Sequence, residues 1–136
     1  MVKLSGRSKS PKSILVASDL HVGSATAVCS EEPYVADLDT SIKPNKLQRV
    51  LNRAWYDTVD DLVQKPNLLV INGEPIDGAN KRQLGQQSWS TNLEDQMNDS
   101  AKLIKEIPYK DLMFVRGSGY HVQVEGTDFE EVLANR

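Results

Sequence analysis

The sequence predicts an α/β fold in which parallel strands alternate with helices. Three short apolar runs, at 13–18, 67–72 and 112–115, have the continuity expected of buried strands. Amphipathic segments separate these runs and follow the last one. The resulting order β-α-β-α-β-α, with near-continuous apolar strands, is typical of a parallel sheet with helical crossovers.

The composition predicts one globular domain with a single core. Of the 136 residues, 39% are apolar and 26% are charged. A net charge of −3 gives no overall field that attracts nucleic acid or an anionic membrane. No apolar run is long enough to cross a bilayer, and Cys29 as the lone cysteine allows no internal disulfide. We therefore expect a cytoplasmic protein that has no membrane partner.

The chain divides into a short tail and one domain. Residues 1–12 carry basic side chains and no acids, and we expect them to form a flexible basic tail. Residues 13–136 are expected to form the single domain. Within it, residues 22–44 make a long irregular connection, and connections of this length are usually functional or disordered.

Capping residues and prolines mark the predicted helix ends. The first helix is predicted at 46–64, with Asn45 as its cap and Pro66 after its end. The next two helices are predicted to begin at capping boxes, 91–94 and 127–130, in which a threonine and a glutamate satisfy each other's backbone donors. The first helix has an apolar stripe that we expect to face the core, namely Leu47, Val50, Leu51, Ala54, Trp55, Thr58, Val59, Leu62 and Val63.

Side chains of metal-ligand type follow each predicted strand. Asp19 and His21 follow the first strand, Glu74 and Asp77 the second, and His121 the third. Ligands bind beyond the carboxyl ends of parallel strands, so these side chains are expected to meet at one edge. Residues i and i+2 of a strand point to the same side, which predicts that Asp19 and His21 converge on a divalent metal. The alternatives are a surface ion pair for Asp19 and His21, and a plain turn for Asp77.

Other polar or small residues near these positions have ordinary structural interpretations. Gly117 and Gly119 are expected to allow a tight turn with positive φ. Ser118 between them lacks the Gly-x-Ser-x-Gly frame of a nucleophile elbow. Glu130 and Glu131 are interpreted as acids favoured by the dipole at a helix N-terminus.

Three motifs in order resemble those of the calcineurin-like metallophosphoesterase superfamily. Asp19-Leu20-His21 is similar to its Asp-x-His block, and Gly73-Glu74-Pro75-Ile76-Asp77 to its Gly-Asp-x-x-Asp block. Gly117-Ser118-Gly119-Tyr120-His121 resembles the third block in the form typical of phage-type members. The stretches 81–85 and 95–96 are also similar to that subgroup.

The resemblance implies a divalent-metal-dependent phosphoesterase. Asp19 and His21 would hold one metal and Glu74 would bridge to a second, so one or two ions of Mn, Fe, Zn or Ni are expected. A metal-bound hydroxide would attack a phosphomonoester or phosphodiester, with nucleotides and nucleic acids among the candidate substrates. His121 would serve as the catalytic residue that protonates the leaving group, and Asp77 would orient a metal ligand without binding the metal itself.

Two departures from the family pattern support an alternative. The bridging acid is Glu74 where the family has Asp, and the family's Gly-His-x-His block is absent from the sequence. The resemblance therefore covers the N-terminal half, one sheet layer of a four-layer α/β/β/α sandwich. The alternative is a catalytically inactive, truncated module with a structural or partner-binding role. Its uncovered sheet face would be expected to bind a second copy of the chain or a separate chain.

Overall fold

The computed structural model describes residues 13–79, 85–119, 123–124 and 126–136. The predicted tail, residues 1–12, lies outside this described part. In chain order, the strands and α-helices of the described part are β1 (Ile14–Ser18), β2 (Tyr34–Val35), β3 (Thr40–Ser41), α1 (Lys46–Asp60), β4 (Leu68–Asn72), α2 (Leu93–Glu106), β5 (Asp111–Val115), β6 (Gln123–Val124), β7 (Thr127–Asp128) and α3 (Phe129–Ala134), with a short 3-10 helix (Ala36–Leu38) between β2 and β3.

The three predicted strands form one parallel sheet, which confirms the α/β class. The strand order is β1-β4-β5, and both pairings are parallel. Ser18, Asn72 and Val115 are aligned across the sheet at the carboxyl ends of the strands. The loops that follow the three strands therefore start at the same edge, where ligands bind in open α/β sheets.

The two faces of the sheet differ in exposure. On one face, Leu69 and Ile71 are fully buried in a cluster with Leu103 and Ile104 of α2, and side chains of α1 pack against the same cluster. The other face, which we call the open face, carries Ile14, Val16, Met113 and Val115 with exposed fractions of 55%, 58%, 50% and 41%. Parallel sheets normally have both faces covered, so this open face is an unusual apolar surface.

Helix α1 is shorter than predicted. Asn45 caps it as expected, in a capping box in which its side chain and that of Gln48 each accept from the other's backbone N–H. The helix ends at Asp60 and does not reach residue 64. Asp60 and Asp61 place two negative charges at the negative end of the helix dipole, and the last turn carries no basic residue to offset them.

The buried side of α1 also differs from the predicted apolar stripe. Leu47 and Val50 are 48% and 63% exposed, whereas Gln48 and Asn52 are buried. Gln48 Nε2 donates to Ser24 O (3.2 Å), and Asn52 Oδ1 accepts from the Cys29 backbone N–H (3.1 Å). The buried polar side chains thus satisfy the backbone of the 22–44 connection, which would otherwise lose its hydrogen bonds on burial.

The caps of the other two helices lie one residue later than predicted. Asn92, not Thr91, caps α2, and its side chain accepts from the Glu94 backbone N–H. Asp128, not Thr127, caps α3. Asn and Asp cap at least as well as Thr, so the neighbouring residue takes the position in both cases. None of the helices in the described part is long and apolar enough to cross a membrane.

Candidate metal centre

Three of the predicted ligand residues meet at the carboxyl edge of the sheet. Asp19 and His21 follow β1, and Glu74 follows β4. One ligand atom from each side chain lies within 4.8 Å of the other two. Among the His, Cys, Asp and Glu side chains of the described residues, these three lie close enough together to hold a metal ion.

The backbone that brings them together is not the extended strand we predicted. Strand β1 ends at Ser18, and Asp19 and His21 have φ angles of 55° and 44°. Glu74 has a φ of 50°. Four non-glycine residues in the described ranges have positive φ, and three of them are these candidate ligands. Left-handed conformations cost about 1–3 kcal/mol each for such residues and concentrate at functional sites. The prediction that Asp19 and His21 converge through strand alternation was therefore wrong in its backbone geometry, but the two side chains do converge.

Backbone hydrogen bonds fix the two ligand loops side by side. Asp19 N donates to Gly73 O (3.3 Å), and His21 N donates to Glu74 O (2.9 Å). Further along, Val22 pairs with Ile76 in a parallel bridge. The pairing of β1 with β4 therefore continues through the loops, and it holds the backbones of His21 and Glu74 in a fixed register.

The His21 imidazole lies between two carboxylates. Its Nε2 is 3.0 Å from Glu74 Oε2, and its Nδ1 is 3.5 Å from Asp77 Oδ1. The hydrogen bond with Asp77 is the largest cause of a raised His21 pKa, and the charges of Glu74, Asp77 and Asp19 add to it while partial burial opposes it. An acid at Nδ1 orients the ring and makes Nε2 more basic, as in metal sites where a carboxylate supports a ligand histidine.

Asp77 lies where a supporting acid is expected. It is 5% exposed, and its backbone N–H donates to Val22 O (2.9 Å). Gln96, which is fully buried, accepts from Gly78 N (2.9 Å) and donates to Gly78 O (3.1 Å). The turn that carries Asp77 is therefore fixed by α2, and the carboxylate faces His21 instead of solvent.

The Glu74 carboxylate contacts the loops after both other strands. Its Oε2 faces His21, and its Oε1 accepts from Ser118 Oγ (2.7 Å) and from the Ser118 N–H (3.4 Å). Ser118 was expected to have no role in the site, although its position after the third strand was an available signal. Ser118 thus brings the third strand end into the site as a donor to a candidate ligand.

The donor types, and the separation of one donor pair, fit one divalent ion. Two donors that each lie about 2.1 Å from a metal are about 3.0–3.4 Å apart in octahedral or tetrahedral geometry. The 3.0 Å between His21 Nε2 and Glu74 Oε2 matches this range. Asp19 adds a second carboxylate, whose Oδ2 accepts from Ser18 Oγ. One imidazole and two carboxylates suit Mn, Fe, Zn or Ni.

The remaining predicted residue and motif segments cannot be placed in this site. His121, the predicted catalytic residue, lies outside the described residues, as does most of the 81–85 segment. No protein-family model, curated protein or solved structure matches the chain.

Proposed function

We propose that Asp19, His21 and Glu74 bind one divalent transition-metal ion and that this site hydrolyses phosphoesters. The observation that carries the proposal is the convergence of these three side chains within 4.8 Å on backbone that is left-handed at each of them. An accidental cluster of polar side chains gives no reason for three costly conformations at one edge of the sheet.

Each residue has a defined role in the proposal. Asp19, His21 and Glu74 supply the ligands, and Asp77 holds the His21 ring in the orientation that presents Nε2. When bound, the metal supplies an activated water and neutralises negative charge on the phosphoryl oxygens. His121 donates the proton to the leaving oxygen, a role that rests on the sequence resemblance alone.

The site is accessible to a substrate of the proposed class. Asp19 is exposed, and the side chains of His21 and Glu74 are 27% and 16% exposed. A phosphomonoester or phosphodiester can reach such a site without opening of the core, and nucleotides or nucleic acids are candidates. The sequence motifs favour phosphoester chemistry over other metal-assisted hydrolysis.

Hydrolysis of bis(p-nitrophenyl) phosphate and p-nitrophenyl phosphate with added Mn²⁺ tests the proposal. Asp19→Asn should abolish the metal-dependent rate because it removes one anionic ligand. Asp39→Asn is the matched control, since Asp39 is also an exposed acid with positive φ (46°) but lies outside the cluster. Equal rates for wild type and Asp19→Asn, or no Mn²⁺-dependent rate in wild type, would refute the hydrolase proposal.

The open face favours a second candidate function, that of an inactive module that binds a partner. Its apolar side chains, including Val16 and Met113 at 58% and 50% exposure, suit contact with a second sheet layer. That layer would come from a second copy or a separate chain and would complete a four-layer sandwich. A wild type that binds no metal but associates through this face would favour this candidate.

A further inference from the structure

A buried acid outside the candidate ligand set joins two of the loops that form the site. Glu130 lies in the first turn of α3 and is 4% exposed. Its Oε1 accepts from the Glu74 backbone N–H (2.8 Å), and its Oε2 accepts from the Gly117 backbone N–H (2.7 Å). One carboxylate therefore satisfies a donor from the loop after β4 and a donor from the loop after β5.

The two loops approach each other so closely that a side chain does not fit between them. A Cβ atom at Gly117 would lie 2.7 Å from Glu74 N and 2.8 Å from Glu130 Oε1. A Cβ atom at Gly73 would lie 3.2 Å from Gly117 Cα. Glycine is thus required at residue 117 for space, and the Glu130 carboxylate occupies the position that faces both backbones.

Glu130 is itself held in place from the end of β5. Asp128 Oδ1 accepts from the backbone N–H groups of Glu130 (3.1 Å) and Glu131 (3.2 Å). The Arg116 guanidinium contacts the Asp128 carboxylate in turn. The first turn of α3 is therefore fixed to the residue that follows β5, and Glu130 enters the site from a fixed position.

These contacts do not fit the simple interpretation of Glu130 as an acid that stabilises a helix end. Such an acid interacts with its own helix dipole from the solvent side. Glu130 is buried, and both oxygens accept hydrogen bonds from other segments of the chain. Charge-assisted hydrogen bonds of this kind are shorter and stronger than neutral ones, so they can hold a costly conformation in place.

We propose that Glu130 is the positioning residue of the site, which fixes Glu74 in its left-handed conformation and so aims its carboxylate at His21. Glu130 acts on Glu74 by two routes. It binds the Glu74 N–H directly, and it holds Gly117, whose neighbour Ser118 donates to Glu74 Oε1. The part of this inference that concerns metal binding rests on the function proposed above.

Glu130→Gln provides the test, because an amide has one acceptor oxygen where the carboxylate has two. One of the two backbone N–H groups then faces an NH₂ group instead of an acceptor. In the metal-free full chain, amide hydrogen exchange at Glu74 or Gly117 should become faster than in wild type. The Kd for Mn²⁺, measured by titration calorimetry, should rise about 10–100-fold, as is usual when a group that supports a ligand is lost.

Two controls separate positioning from general stability. Glu131→Gln makes the same change at an exposed position on the same turn and should leave Mn²⁺ affinity and both amides unchanged. Ile104→Val lowers stability from the core of α2 and should lower the melting temperature without changing the Kd. The proposal would be overturned if Glu130→Gln left amide exchange unchanged at both Glu74 and Gly117. It would also be overturned if wild type bound Mn²⁺ and Glu130→Gln bound it with the same Kd. If wild type binds no metal, the proposed function fails, and amide exchange alone decides whether Glu130 positions Glu74.

Discussion

Shortening Glu74 to aspartate is expected to weaken metal binding, although aspartate is the acid at this position in the family that the sequence resembles. The change removes one methylene and draws the carboxylate back by about 1.5 Å, the length of a C–C bond. From the observed 3.0 Å to His21 Nε2 and 2.7 Å to Ser118 Oγ, the two separations grow to at most about 4.5 Å and 4.2 Å. Both contacts are therefore expected to lengthen beyond hydrogen-bond distance, and the carboxylate is drawn away from an ion held by Asp19 and His21.

The magnitude follows from the loss of one of three protein ligands. Loss of a supporting group costs 10–100-fold in metal affinity, so loss of a ligand should cost about 100-fold or more, or ~2.7 kcal/mol of binding free energy. The local backbone acts in the opposite direction, because aspartate tolerates the left-handed conformation at residue 74 better than glutamate does. A weaker site in Glu74→Asp would therefore reflect reach and not backbone strain.

Calorimetric titration of the two proteins with Mn²⁺ measures this difference directly. Glu131→Asp is the matched control, since it shortens an exposed glutamate in α3 by the same methylene. If Glu74→Asp binds Mn²⁺ as tightly as wild type or more tightly, and gains phosphoesterase activity, the reasoning is refuted. Glutamate would then be a replacement that impairs the site, not the side chain whose length the site requires.

Four further predictions concern metal affinity against pH, stability against pH, packing and the open face. Metal binding requires neutral His21, and the pKa of His21 is raised chiefly by its hydrogen bond with Asp77. When the pH is lowered, the Mn²⁺ affinity measured by calorimetry should therefore start to decrease at a pH that is still higher than 6.5. In the metal-free protein, the stability contributed by charged His21 should be complete below its unfolded-state pKa of about 6.5 and lost as the pH rises through its raised pKa, as followed by urea unfolding. Gly117→Ala should lower the free energy of unfolding by about 1–3 kcal/mol, because its Cβ would overlap Glu74 N. Wild type should self-associate with rising concentration in light scattering, and the open-face substitution Met113→Lys should reduce this association.

The predictions on metal affinity, packing and the open face each have an outcome that contradicts them. Mn²⁺ affinity that is constant between pH 6 and 8, approximately the range in which histidines titrate, would show that His21 is not a ligand. Wild-type stability in Gly117→Ala would mean that the loops after β4 and β5 separate without cost. A strictly monomeric wild type at every concentration would show that the open face does not mediate self-association.

The arrangement of the sheet could be predicted from the sequence because it depends on local pattern. Near-continuous apolar runs are typical of parallel strands, and each observed strand begins within one residue of its prediction. The buried side of α1 could not be predicted in the same way. Gln48 and Asn52 are buried because a long connection needs hydrogen-bond partners, and that requirement arises only when the chain is folded.

Some features of the candidate site could likewise be predicted from the sequence and others could not. Topology alone predicted that Asp19, His21 and Glu74 lie at one edge, since parallel strands end together. Their left-handed backbone was not predicted, because positive φ is uncommon for any non-glycine residue, even for Asp and His, which adopt it more often than most. The prediction of positive φ at Gly117 was wrong, because the structure requires a glycine there for space instead. Glu130 was interpreted as a helix-end acid, but it accepts hydrogen bonds from two loops. Both depend on how closely α3 and the two loops approach in the folded chain.

Anomalous diffraction from crystals grown with Mn²⁺ would locate the ion relative to the three candidate ligands. We predict one peak at about 2.0–2.3 Å from a carboxylate oxygen of Asp19, Nε2 of His21 and a carboxylate oxygen of Glu74. Absence of an anomalous peak beside these three side chains at saturating Mn²⁺ would show that they do not form a metal site.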